Sequence, residues 1–168
     1  MALIDSMLQE LEQEAETTRR VLARVPNDHL TWRPHEKART LGELAFHVAT
    51  VPGSVAELVA KQSTVQAPQF NDPQPTNASE LIPALDESIA KAKKALAGMD
   101  DSELMSTWRM MRGERELFAL PRIAILRSIM LNHWYHHRGQ LSVYLKQLDV
   151  PIPSIYGPSA DENPFVAT

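Results

Sequence analysis

The 168-residue chain has no cysteine, and that absence removes several chemistries together. It leaves no disulfide, no thiolate ligand for a metal and no protein thiol acting as a nucleophile. Any metal the chain binds must be held through nitrogen and oxygen. No apolar run approaches the roughly 18 residues of a membrane span, and Met1-Ala2-Leu3-Ile4-Asp5 lacks the basic-then-apolar opening of a signal peptide. A cytoplasmic protein with no membrane partner is therefore expected. Excess positive charge is also missing: 17 Lys and Arg against 21 Asp and Glu give a net charge of -4. With the two signs interspersed, no basic stripe is available for phosphate backbones, and nucleic acid is not an expected partner. Serine-nucleophile motifs, glycine-rich phosphate loops, internal repeats and low-complexity blocks are absent as well.

What is present is helical periodicity. A chain 43% hydrophobic and 23% charged has ordinary globular composition, and at this length a single domain over 1–168 is expected. Ile4, Leu8, Leu11, Ala15, Leu22 and Val25 form a first apolar stripe that Pro26 stops. Thr40-Leu41-Gly42-Glu43 has capping-box spacing and opens a second stripe of Leu44, His47, Val48, Val51, Val55 and Leu58. Pro52 falls inside that stripe, which predicts a kinked second helix, bent or broken about one turn past His47. The stretch from Thr64 to Asn77 reads as a surface loop. Ile82, Leu85, Ile89, Ala92 and Leu96 make a third stripe closed by Gly98, with Pro83 leaving its first turn open. From Asp100 to Leu120 the pattern admits either a crossover loop or a short hairpin. Pro121 suits the first position of a long fourth helix carrying Ile125, Leu126, Met130, His133, His137, Leu141, Tyr144 and Leu148. The proline-rich tail from Asp149 to Thr168 should be irregular. The expected fold class is all-α, a four-helix bundle.

His133 and His137 are four residues apart, so they stack on one helix face and can close on one divalent ion, with His47 supplying a third ligand from another helix. Three core imidazoles would cost several kcal/mol if their polar atoms found no partners, and a shared cation satisfies all three. The alternative is three histidines hydrogen-bonded separately. His136 lies about 100° round the helix from His137 and reads as exposed or outside the ligand set. His29 and His35 belong to a loop and should face solvent. Trp134 stands where a metalloprotease would carry its general-base glutamate, which disfavours zinc-peptidase chemistry. Glu43, one turn before His47, could orient that imidazole, although the capping box already accounts for it. Gln140 could touch His137, or be a surface amide. Glu114 and Glu116 around Arg115 read as a solvated charge cluster, and Met110 and Met111 beside Trp108 as core.

Trp32-Arg33-Pro34, Leu41 through His47, Asn132-His133 through Tyr144 and Ile155-Tyr156-Gly157-Pro158-Ser159-Ala160-Asp161-Glu162 together carry a resemblance. By these segments the chain resembles the DinB-like, YfiT-like superfamily of damage-inducible proteins, proposed metalloenzymes unrelated to the DNA polymerase of similar name. The resemblance implies an up-down-down-up bundle with a divalent metal bound by one histidine of the second helix and two of the fourth, at positions matching His47, His133 and His137. It also implies a metal that activates a low-molecular-weight thiol for transfer to an electrophile or for isomerisation of a substrate.

Three neutral histidines leave the ion's charge uncompensated and coordination positions open, as in a catalytic site. A thiol there would lose its proton near neutral pH, and a water there would support hydrolysis instead. Zinc, nickel, manganese and iron all accept imidazole. The expected partner is a small-molecule substrate, with a homodimer formed through one helical face as a further expectation. The competing reading is a non-catalytic, metal-stabilised bundle that binds a ligand or partner during stress.

Overall fold

The second helix shows how the sequence builds this molecule. The computed structural model describes residues 2–69 and 73–165; positions 1, 70–72 and 166–168, including parts of the expected loop and tail, lie outside the described residues. Helix α2 spans Leu41–Lys61. Its start is the capping box that the spacing predicts: the Glu43 N–H donates to Thr40 Oγ1 at 3.1 Å, and the Thr40 N–H donates to the Glu43 carboxylate at 2.7 Å. Pro52 neither breaks nor ends it, and the helix runs through to Lys61. A proline leaves the carbonyl four residues earlier without its donor. That carbonyl belongs to Val48, and the buried indole of Trp134 donates to it at 2.7 Å. Trp134→Phe should leave this acceptor buried and unmatched. A loss of about 1–3 kcal/mol in urea denaturation, with helical circular dichroism unchanged, is the expected result.

Helix α1 spans Leu3–Leu22, burying Ile4, Met7, Leu11, Ala15, Thr18, Val21 and Leu22 at helical spacing. Helix α3 spans Leu81–Leu96 and is entered through a 3₁₀ turn at Ala78–Glu80, where the Asn77 side chain accepts from the Ser79 N–H at 2.8 Å. A short α4, Asp101–Met105, precedes the last helical stretch, which comprises α5 (Arg122–Ile125), a π-helical segment (Leu126–Asn132) and α6 (His133–Gln147). Pro121 caps this stretch rather than occupying its first turn.

Cross-helix contacts fix the relative directions. Glu12 pairs with Lys93, and Asp86 with Arg19 at 2.6 Å, so α1 and α3 run oppositely. Glu10 pairs with Arg127 at 2.7 Å and Glu14 with Arg138 at 2.6 Å, so α1 and the last stretch run the same way. Val59 O accepts from Arg122 Nε at 3.1 Å while Val48 O accepts from Trp134, which sets α2 against that stretch. A single core joins all of these helices, with Leu11, Leu44, Val48, Leu85, Leu96, Leu126, Trp134 and Leu141 almost inaccessible.

The all-α expectation needs correction. Strands β1 (Thr64–Gln66), β2 (Thr107–Arg112) and β3 (Arg115–Pro121) form a three-stranded sheet in that order. β1 pairs parallel to β2, with Val65 opposite Met110, and β2 pairs antiparallel to β3, with Trp108 opposite Leu120. The undecided region therefore opens with the short helix α4 and continues as a hairpin, closed by Gly113 at φ +61, where an L side chain is strained. Residues 64–66, read as loop from sequence, form a strand too short for its alternation to register; Val65 alone turns inward. The tail is irregular as expected and is pinned to the helices: Tyr156 OH contacts Arg138 at 2.6 Å and Lys146 pairs with Asp161 at 3.0 Å.

Candidate metal centre

Antiparallel α2 and α6 bring the three predicted histidines together. His47 comes from the first half of α2, and His133 and His137 from the first five residues of α6. Their ring centroids lie 4.6 Å apart for His47–His137, 5.3 Å for His47–His133 and 4.4 Å for His133–His137. One nitrogen from each lies within 4.8 Å of the other two. His137 is 8% exposed and the other two are half-buried.

The tautomers follow from the hydrogen bonds. His137 Nδ1 faces the Gln140 side-chain oxygen at 2.7 Å, and a carbonyl oxygen only accepts, so Nδ1 carries the proton and Nε2 carries a lone pair. That lone pair points at His133 Nε2, 2.8 Å away. Two imidazole nitrogens bound to one tetrahedral zinc at about 2.0–2.1 Å stand about 3.3 Å apart. The pair therefore reaches ligand geometry if the rings separate by about half an ångström. The donor set is nitrogen-only, and it fits a divalent first-row ion with positions open for further ligands.

Gln140 is the residue that sequence reading undervalued. It is exposed, yet it orients His137; its position three residues on, on the same helix face, was the available signal. A partner that fixes a ligand's tautomer is worth roughly 10–100-fold in metal affinity. Gln140→Ala should weaken zinc binding by about that factor in chelator competition, with the melting temperature of the metal-free chain little changed. The Glu43 carboxylate is engaged at the cap of α2, as its spacing suggested. His136 and His35 are exposed and His29 lies half-exposed in a short turn. The charged cluster at 114–116 is exposed, with Glu116 paired to Arg109 at 3.1 Å.

Burial makes charge on these rings unfavourable. It lowers the pKa of His133 and takes that of His137 down to about 4. Both imidazoles are thus neutral, as metal ligands must be. The sign for stability follows. An unfolded His137 takes up a proton near its usual value of about 6.5 while the folded ring resists until about 4, so protons favour the unfolded chain between those values. Stability of chelator-treated protein should be complete above pH 6.5 and fall as the pH drops toward 4. Urea melts at pH 7.5 and 4.5 should show a smaller fall for His137→Ala than for wild type.

A cleft of about 440 Å³ opens beside His137, walled by Lys37 and Arg39 on one side and by Gln140 and Tyr144 on the other. Tyr144 is held edge-on against Trp32, ring centroids 5.6 Å apart. Nothing in the periodicity of the chain marks Lys37 or Arg39, which lie in the loop ahead of α2. Among the described residues no helix is long and apolar enough to cross a membrane.

Comparison with known proteins agrees with this architecture. The uncharacterized protein YrdA of Bacillus subtilis (strain 168) is 26% identical over 159 residues, 95% of this chain and 91% of the relative. A crystal structure of a DinB-like protein from Bacillus cereus ATCC 10987 is similar at TM-score 0.70 and 24% identity, covering 90% of this chain and 97% of that one. A crystal structure of the DinB-like protein YjoA from Bacillus subtilis is similar at TM-score 0.64 and 18% identity, covering 87% and 95%. These likenesses carry the fold, and the model of the DinB family matches residues 1–164. The chain belongs to the DinB family.

Proposed function

We propose that the chain is a metal-dependent enzyme whose His47, His133 and His137 hold one divalent ion, and that it transfers a low-molecular-weight thiol to an electrophile. We read its four long helices as an up-down-down-up bundle that presents these ligands in the cleft. The observation that carries the reading is the convergence of three imidazoles, with Gln140 fixing the tautomer of one, beside an open cleft. When bound, the ion supplies a Lewis acid that lowers the pKa of a neighbouring thiol.

The residues around it favour thiol over water as nucleophile. Activating water for hydrolysis is helped by a general base, and none of the described residues lining the cleft is a carboxylate. A thiol needs no such base once its pKa has fallen, because its proton leaves to solvent. The sulfur then forms its bond to the electrophilic carbon as the leaving group departs with its electron pair. Lys37 and Arg39 add positive potential at the cleft, which favours the thiolate.

The test is conjugation of a fluorogenic alkyl halide to small thiols by zinc-, nickel-, manganese- and iron-loaded protein. Thiol-dependent turnover that disappears in His137→Ala is expected. A rate unchanged by that substitution would overturn the proposal, and metal binding without turnover across the screen would favour a non-catalytic bundle.

A further inference from the structure

The last helical stretch changes pitch immediately before the first histidine of the pair. Residues Leu126–Asn132 are π-helical, and regular α-helix resumes at His133. The buried residues explain the wider turns. Arg122, Leu126, Met130 and Trp134 all face inward at spacing four, and an α-helix, turning about 100° per residue, would carry that row about 120° round its axis. A π-helical segment keeps the row on one face.

The change of pitch also redirects a backbone bond. His133 N–H donates to the Ser128 and Met130 carbonyls, five and three residues back, and passes over Ile129, its partner in a regular α-helix. The Ile129 carbonyl lies beside the His133 ring and favours a proton on it. Nε2 of that ring faces His137, so the ring meets the carbonyl through Nδ1. This nitrogen is buried and makes no hydrogen bond of good geometry. The metal-free chain explains why. The Gln140 bond leaves His137 Nε2 with a lone pair, so the 2.8 Å approach of the two rings requires the proton of His133 to sit on its Nε2. His133 Nδ1 then presents a lone pair to the carbonyl's own lone pairs, two acceptors with no hydrogen between them.

We propose that binding of the ion moves His133 from its Nε2–H to its Nδ1–H tautomer, and that the Ile129 carbonyl, released by the π-helical segment, accepts the Nδ1–H. One proton leaves Nε2 for solvent as the ion takes up that lone pair, and solvent returns one to Nδ1, so the ring stays neutral and no net proton is released. The two ligands of α6 are then oriented alike, His137 by the side-chain oxygen of Gln140 and His133 by a backbone oxygen. This deepens the function proposed above and rests on its metal centre.

Long-range proton–nitrogen correlation spectra of protein labelled with nitrogen-15 histidine read the tautomer of each ring, and zinc alone is the probe. Metal-free protein at pH 7.5 should show His133 protonated on Nε2 and His137 on Nδ1. One equivalent of zinc should leave both protonated on Nδ1, with both Nε2 signals moved to the metal-bound range. Deleting Ser128, an exposed residue of the π-helical segment, returns the Ile129 carbonyl to the His133 N–H and should weaken zinc binding by about 10–100-fold in chelator competition. Ser128→Ala keeps the extra residue and should bind zinc as wild type does.

A His133 that keeps its proton on Nε2 with zinc bound, or already carries it on Nδ1 without zinc, would overturn the proposal whether or not the deletion variant folds. Undiminished zinc affinity in a folded deletion variant would overturn the role given to the π-helical segment. Zinc that alters none of the three rings would defeat the metal centre together with this inference. Zinc bound at His47 and His137 with the tautomer of His133 unchanged would defeat this inference alone.

Discussion

Protein purified without an affinity tag should carry about one equivalent of divalent metal per chain, and His133→Ala/His137→Ala should carry almost none, by inductively coupled plasma mass spectrometry. The two Nε2 atoms approach to 2.8 Å. Without an ion, His133 Nε2–H would have to donate to His137 Nε2, which satisfies one nitrogen of each ring. With an ion, both Nε2 lone pairs are used together with His47, and the Gln140 bond already leaves His137 in the tautomer this requires. Removing two of three ligands leaves a lone imidazole on α2, which cannot compete with water for an ion. The helices should still form, since the core residues around Trp134 and Leu141 are apolar and fully buried. Thiol-dependent turnover should vanish with the metal while circular dichroism is retained. A double variant that keeps its metal would place the ion elsewhere.

Gly53→Ala should destabilise the protein by about 3 kcal/mol, a fall of about 10 °C in melting temperature for a chain of this size. A β-carbon at Gly53 would lie 2.6 Å from the Ser88 carbonyl oxygen and 2.9 Å from its Cα, both backbone atoms of α3 that no rotamer change can move. The close approach serves a purpose. Ser88 Oγ accepts from the Gly53 N–H at 2.8 Å and donates to the Thr50 carbonyl at 3.1 Å, entering α2 where Pro52 interrupts the ladder. Gly139, on the exposed side of α6, is the control, because a β-carbon there would meet nothing within 4 Å. Gly139→Ala should be neutral or stabilising by about 0.5–1 kcal/mol, as expected for glycine in a helix interior. Calorimetry that placed both variants together would show that α2 and α3 can part at little cost.

The sequence made the site legible because ligand pairs obey helix geometry. His133 and His137 are a turn apart, and His47 lies on an amphipathic stripe, so the chain's periodicity alone groups three residues drawn from two distant segments. Local signals also located the cap at Thr40 and the long last helix. Contacts between elements were beyond its reach. Pro52 left a bend or a break open because the donor that takes up the Val48 carbonyl, Trp134, lies 86 residues away. Residues 64–66 looked like loop because a three-residue strand acquires its ladder only from a partner at 109–111. The hairpin stayed open because apolar Met110 and Met111 adjoin at a bulge, where alternation fails. Lys37 and Arg39 are ordinary loop cations until the fold sets them beside His137.

The small sheet also governs how the molecule can move. β1 begins three residues after α2 ends, β3 runs straight into α5, and Arg122 bonds the last turns of α2 through Val59 O and the approach to β2 through Ser106. The two histidine-bearing helices are thus riveted at one end, with Trp134 and Val48 forming a second fastening partway along. In that respect they resemble the arms of a pair of tongs, fastened near one end and unfastened, as far as these bonds go, toward the ends that carry the 37–39 loop and the second half of α6.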